Sequence, residues 1–119
     1  MMADGVIFIG WTGPVRGREQ SSLPVFKEAM EYWGRLQAAG EIESFDAVLL
    51  DVHGGDLGGF FLLKGAREKL TRVRASEEME RLLVRENLIV EGLGAVGGLT
   101  GDGVARRLAA FLEASGDIA

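Results

Sequence analysis

Residues 6–12, Val6-Ile7-Phe8-Ile9-Gly10-Trp11-Thr12, are apolar on both sides of an extended chain. β-Branched and aromatic residues dominate, and Gly13-Pro14 closes the run, so the segment predicts a strand. Alternation sends Val6 and Phe8 to one side and Ile7, Ile9 and Trp11 to the other. An antiparallel strand with one wet face would alternate with polar residues. This strand needs cover on both faces, and that need decides the architecture.

Downstream, residues 13–20 form a polar loop carrying Arg16 and Arg18. A helix follows, with Ser21 or Ser22 as its expected cap and Pro24 in its first turn. Phe26, Ala29, Met30, Trp33 and Leu36 make one helical stripe, and Gly40 stands where a glycine ends a helix. Residues 42–52 predict a second strand with the apolar centre Ala47-Val48-Leu49-Leu50. The glycine-rich stretch 53–58 reverses the chain into a third strand over 59–64.

Residues 66–74 carry a weak helical pattern, and Ser76 is a fresh N-cap followed by Glu77 and Glu78. Met79, Leu82 and Leu83 supply the apolar stripe, so this second helical region is expected in two pieces meeting near Ala75. Residues 88–96 predict the fourth strand. Thr100-Gly101-Asp102-Gly103 breaks the chain, with Asp102 as the cap of a last helix over about 102–115. Val104, Leu108, Phe111 and Leu112 form its apolar face.

The order is β-α-β-β-α-β plus a C-terminal helix, which is the ferredoxin-like α+β arrangement. One domain is expected over residues 1–119, with its core in 5–98. Helices cover one face of a four-stranded antiparallel sheet. The other face is apolar as well, and a large apolar face is normally an interface. A second copy packed sheet to sheet, as a homodimer, is the simplest cover.

Over residues 5–98 this pattern resembles the dimeric α+β barrel superfamily. The run Ile9-Gly10-Trp11-Thr12-Gly13-Pro14-Val15-Arg16-Gly17-Arg18-Glu19 resembles the opening of an uncharacterised subgroup. The resemblance implies face-to-face dimers with a pocket between sheet and helices. Its members include cofactor-free oxygenases, haem-degrading enzymes, isomerases, dehydratases and ligand-sensing domains.

The 119 residues hold no cysteine, one histidine and a formal charge of −5. A disulfide framework, thiolate metal sites and cysteine nucleophiles are excluded. One histidine leaves too few ligands for zinc, and His53 sits at a loop, unsuited to hold haem. No metal and no cofactor are expected. The acidic balance disfavours nucleic acid, and no apolar run approaches the ~18 residues of a membrane span. A cytoplasmic protein is the expectation.

Gly92-Leu93-Gly94-Ala95-Val96-Gly97 matches the dinucleotide fingerprint in letters only. No second strand follows to supply the acidic residue that fingerprint needs. Close packing against strand four explains these glycines more simply than a ligand. Glu91, among apolar neighbours, needs a partner or an exposed edge position.

His53 and Asp51 are the catalytic candidates. If the strand runs that far, both point to one face, where a carboxylate can orient an imidazole as general base. The plainer reading is a polar strand end before a glycine loop. Arg16 and Arg18, beside Trp11, are candidate anchors for a carboxylate or phosphate, with Trp11 as a wall; the plainer reading is a solvated loop. Tyr32, Trp33 and Met30 fit either the core or a pocket wall.

Two functions remain. One is a small-molecule-binding or cofactor-free enzyme of isomerase, dehydratase or oxygenase type, taking a small apolar or anionic ligand. The other is a non-catalytic dimeric module whose apolar surfaces serve assembly. An enzyme needs a cavity with convergent polar groups; a module needs a packed interior.

Overall fold

β1 (Gly5–Trp11) lies at the centre of a four-stranded antiparallel sheet. It pairs with β4 (Gly59–Gly65) on one side and β6 (Gly94–Leu99) on the other, and β3 (Ser44–Leu49) lies beyond β4. The computed structural model describes residues 3–116 and 118. The order β3-β4-β1-β6 is that of the ferredoxin-like α+β fold. The remaining elements are β2 (Gly13–Pro14), α1 (Glu19–Ala38), α2 (Arg67–Arg74), α3 (Glu77–Asn87), β5 (Val90–Glu91) and α4 (Asp102–Ser115).

Strand alternation divides the apolar residues as expected. Ile7, Ile9, Phe61 and Leu63 are buried under the helices with Ala29, Tyr32 and Trp33 of α1. Leu70 and Val73 of α2 and Met79 and Leu82 of α3 complete that core. Tyr32 and Trp33 are thus core residues, and Met30 packs at the core's edge. The opposite face presents Val6, Phe8, Val48, Phe60, Leu62 and Val96, with the Phe8 and Phe60 rings 5.0 Å apart. Among the described residues, no helix covers that face.

Helix α1 starts earlier than its serines suggest. The Ser22 N–H donates to the Arg18 carbonyl at 3.1 Å, so helical bonding begins at Arg18 without a side-chain cap. Ser22 Oγ donates instead to the Glu19 carbonyl at 2.6 Å. Pro24 therefore lies in the second turn, and its missing N–H leaves the Gln20 carbonyl without a helical donor. The other end is as expected. Gly40 takes φ +75°, its N–H donates to Gln37 and the Glu41 N–H to Leu36, which is the Schellman pattern.

The second helical region is in two pieces, α2 and α3, and Ser76 Oγ accepts from the Met79 N–H at 3.3 Å. The fourth strand differs from expectation. Leu88 and Ile89 belong to the end of α3, and the strand is bent at Gly92 into β5 and β6. Its register against β1–β2 is nonetheless unbroken: Gly10 faces Gly94, and three residues on, Gly13 faces Glu91. Gly92 has φ +70°, and a Cβ there would stand 2.3 Å from Thr12 Oγ1. Only glycine fits that bend. Gly97 packs against the Arg74 guanidinium, but a Cβ at Gly94 would meet nothing within 4 Å, so close packing accounts for Gly97 and not for the whole run; Glu91 is an exposed edge residue.

Helix α4 is tied down at its N-terminal end. Gly101 is its N-cap, with Asp102 the first helical residue rather than the cap. Gly103 is buried against the Asp4 carbonyl, and Arg106 Nη2 donates to Asp4 Oδ2 at 2.7 Å. Val104, Leu108, Phe111 and Leu112 lie on the other side of the helix, all exposed. The radius of gyration, 16.4 Å, exceeds the roughly 13.5 Å of a compact chain this long, as a projecting helix requires.

Candidate functional site

A cavity of about 690 Å³ opens at one end of the sheet. The end of β1, the first turns of α1, the β3–β4 loop and the α3–β5 junction enclose it. Its walls are mainly apolar. Trp11, Phe26 and Phe61 form an aromatic side, with ring centroids 5.0 Å apart for Trp11–Phe61 and 5.2 Å for Phe26–Phe61. Val25, Leu57 and Ile89 add aliphatic wall.

The β3–β4 loop is held close to β1. The Gly58 N–H donates to the Trp11 carbonyl and the Leu50 N–H to the Gly58 carbonyl, each at 2.8 Å. The strand ends at Leu49, opposite Gly59, short of the expected Val52. Alternation therefore does not set the directions of Asp51 and His53, which belong to the loop. Both line the cavity and both are exposed. His53 is bound by its own loop: Nε2 donates to the Leu57 carbonyl at 2.7 Å, and Nδ1 accepts from the Gly55 N–H at 3.2 Å. That pattern is the neutral imidazole, donor on one nitrogen and acceptor on the other.

Trp11 lines the cavity, and Arg16 and Arg18 do not. Arg16 is exposed. Arg18 donates to the Leu88 carbonyl, satisfying one of the free carbonyls at the end of α3. Trp11, Asp51 and His53 are thus brought to one cavity, and the two arginines stand outside it.

Sequence reasoning passed over Glu86. It lies on α3, lines the cavity and is 5% exposed, the one buried charged residue among those described. Neither carboxylate oxygen has a hydrogen-bond partner. Burial, reinforced by the nearby Glu28 carboxylate, pushes its pKa up to about 7. Glu28 is itself paired with Arg85, at 2.9 Å, so that arginine is not spent on Glu86. The signal was present: Met79, Leu82 and Glu86 share one helical face, so an acid sits on the buried stripe.

Among the described residues, no group of three or more histidine, cysteine or carboxylate side chains is placed to hold a metal ion. No described helix is long and apolar enough to cross a membrane.

No protein-family model matches the chain, and no curated protein matches it. Solved structures do. A dimeric protein of unknown function with a ferredoxin-like fold, from Bacteroides fragilis NCTC 9343, superposes with a TM-score of 0.58 at 13% identity, covering 81% of this chain and 96% of that one. The fold is that of the dimeric ferredoxin-like α+β proteins. A second dimeric ferredoxin-like protein of unknown function, from Thermobifida fusca YX, has a TM-score of 0.58 at 11% identity over 82% of this chain and 92% of that one. A candidate antibiotic biosynthesis monooxygenase from Chloroflexus aurantiacus J-10-fl has a TM-score of 0.51 at 11% identity, over 82% and 93%. At such identities the likeness is one of fold.

Proposed function

We propose that the protein takes a small, largely apolar molecule into this cavity and acts on it as a cofactor-free enzyme of isomerase, dehydratase or oxygenase type. The observation that carries the reading is the cavity itself: apolar walls with a few ionisable groups converging on them. A packed interior at this end of the sheet would have favoured the assembly module. Glu86 holds or gives up a proton near neutral pH, as acid–base chemistry at that pH requires. Asp51 and His53 line the exposed side of the cavity and are its proposed polar partners for the ligand. Trp11 is a wall. An anion anchor at Arg16 and Arg18 is left out, because neither lines the cavity.

The enzyme is proposed to work as a homodimer, with the uncovered face of Val6, Phe8, Phe60, Leu62 and Val96 as the contact. The dimeric structural neighbours support this. That same face favours the second reading, a non-catalytic dimeric module.

Titration with N-phenyl-1-naphthylamine, a neutral apolar dye, separates the two. The enzyme reading expects saturable fluorescence enhancement at one site per chain, weakened by Trp11→Ala. A dye signal that does not saturate, or that ignores Trp11→Ala, favours the module.

A further inference from the structure

The charged residues that line the cavity are all acids. Asp51 and Glu86 stand on its wall, and no lysine or arginine does. The charged group that acts on Glu86 is Glu28 on α1, which is itself paired with Arg85. His53, in the loop, spends both ring nitrogens on backbone. Both Glu86 oxygens therefore lack a donor and are shut off from water. A buried acceptor left unpaired costs about 1–3 kcal/mol, so a ligand that brings a donor gains by supplying it.

The aromatic part of the lining selects which donor. Trp11, Phe26 and Phe61 present aromatic rings to the cavity. Ring faces attract cations, and desolvation strengthens that attraction. Aromatic rings and an unpaired carboxylate lining one cavity make the environment of an organic ammonium. A carboxylate or phosphate ligand would meet two acids and no base.

We propose that the cavity binds a small apolar amine, its nitrogen received by Glu86 and its hydrocarbon part by the aromatic wall. This rests on the reading that the cavity binds a small molecule. If the amine arrives neutral, Glu86 passes it a proton: the carboxyl O–H breaks, an N–H forms, and an ion pair results. If it arrives as the ammonium, the proton on Glu86 goes to solvent.

The test uses three naphthalenes of similar size and the intact protein: 2-naphthylmethylamine, 2-methylnaphthalene and 2-naphthoate, titrated calorimetrically at pH 7. The amine is expected to bind at least tenfold more tightly than 2-methylnaphthalene, with 2-naphthoate weakest. Glu86→Gln, nearly isosteric, is expected to abolish the amine's advantage and leave 2-methylnaphthalene affinity within a few fold. Equal affinities for amine and hydrocarbon, tighter binding of the acid, or an amine preference surviving in Glu86→Gln overturns the amine assignment and leaves the cavity reading standing. If none of the three binds the wild-type protein, both fail. The wild-type comparison alone decides the matter should Glu86→Gln not fold.

Discussion

Glu28 on α1 is near enough to Glu86 on α3 to help raise its pKa, and only Glu28 has a cation: Arg85 reaches it at 2.9 Å, while Glu86 has no partner. The asymmetry divides two chemically identical side chains. One is a surface ion pair, the other a proton store beside an apolar cavity.

The pH dependence of stability follows. The folded chain holds the Glu86 proton up to about 7, whereas an ordinary glutamate releases it near 4.5. Between those values the folded state binds more protons than the unfolded, so stability falls as pH rises. The full penalty is about 3 kcal/mol above the folded pKa, and it vanishes below the unfolded one. Glu86→Gln has no charge to bury. Urea unfolding at pH 8 should show it more stable than wild type by up to about 3 kcal/mol, with the gap closing toward pH 4. Parallel wild-type and variant profiles would contradict the burial of an ionisable Glu86.

Gly92→Ala forces a left-handed residue and drives a methyl into Thr12 Oγ1. A left-handed non-glycine residue alone costs about 1–2 kcal/mol. The variant should lose at least that much in thermal unfolding. Adding Thr12→Ala should recover the steric part only, because the backbone cost remains.

Helix α4 depends on Asp4 more than on any single cation. Asp4 accepts the Arg67 N–H at 2.8 Å as well as the Arg106 guanidinium at 2.7 Å. These bonds lower its pKa, the Arg67 N–H being the larger cause. Asp4→Ala should therefore loosen α4 more than Arg106→Ala, read as faster amide exchange at residues 102–106. In wild type that protection should weaken as pH falls below the usual carboxylate range.

The open sheet face gives a test of assembly. Phe60 lies 5.0 Å from Phe8 at its centre. Phe60→Glu places a charge in any sheet-to-sheet contact, and a buried unpaired charge is strongly destabilising. Sedimentation velocity should show wild-type dimers and variant monomers that remain folded. A wild-type monomer at micromolar concentration contradicts the homodimer.

The apolar period of residues 6–12 was enough to identify a strand apolar on both faces, because alternation depends only on the extended backbone. Gly40 and Ser76 were legible because helix ends have strong local chemistry. Long-range causes were less so. Residues 88–91 read as strand by composition, but Leu88 and Ile89 close α3, and Thr12 crowds Gly92 into a bend from 80 residues away. Pro24 read as a first-turn residue because the rule for proline sees a missing N–H and not where the helix bonding begins. Asp51 and His53 were read as one pair and Trp11 as a companion of Arg16 and Arg18; that the first three share a cavity depends on the β3–β4 loop being bonded back to β1, which the sequence does not encode. Glu86 was legible only as an acid on the buried face of α3; its lack of a partner depends on where Arg85 points, which spacing does not encode.

The central claim is that the end cavity holds a small molecule. The direct measurement is a two-dimensional ¹H–¹⁵N spectrum of the intact protein titrated with 2-methylnaphthalene. The account predicts saturable shifts at Trp11, Val25, Leu50 and Ile89, with the amides of Val6, Leu62 and Val96 unmoved. Shifts confined to those three sheet residues, or no saturable shift at all, would contradict it.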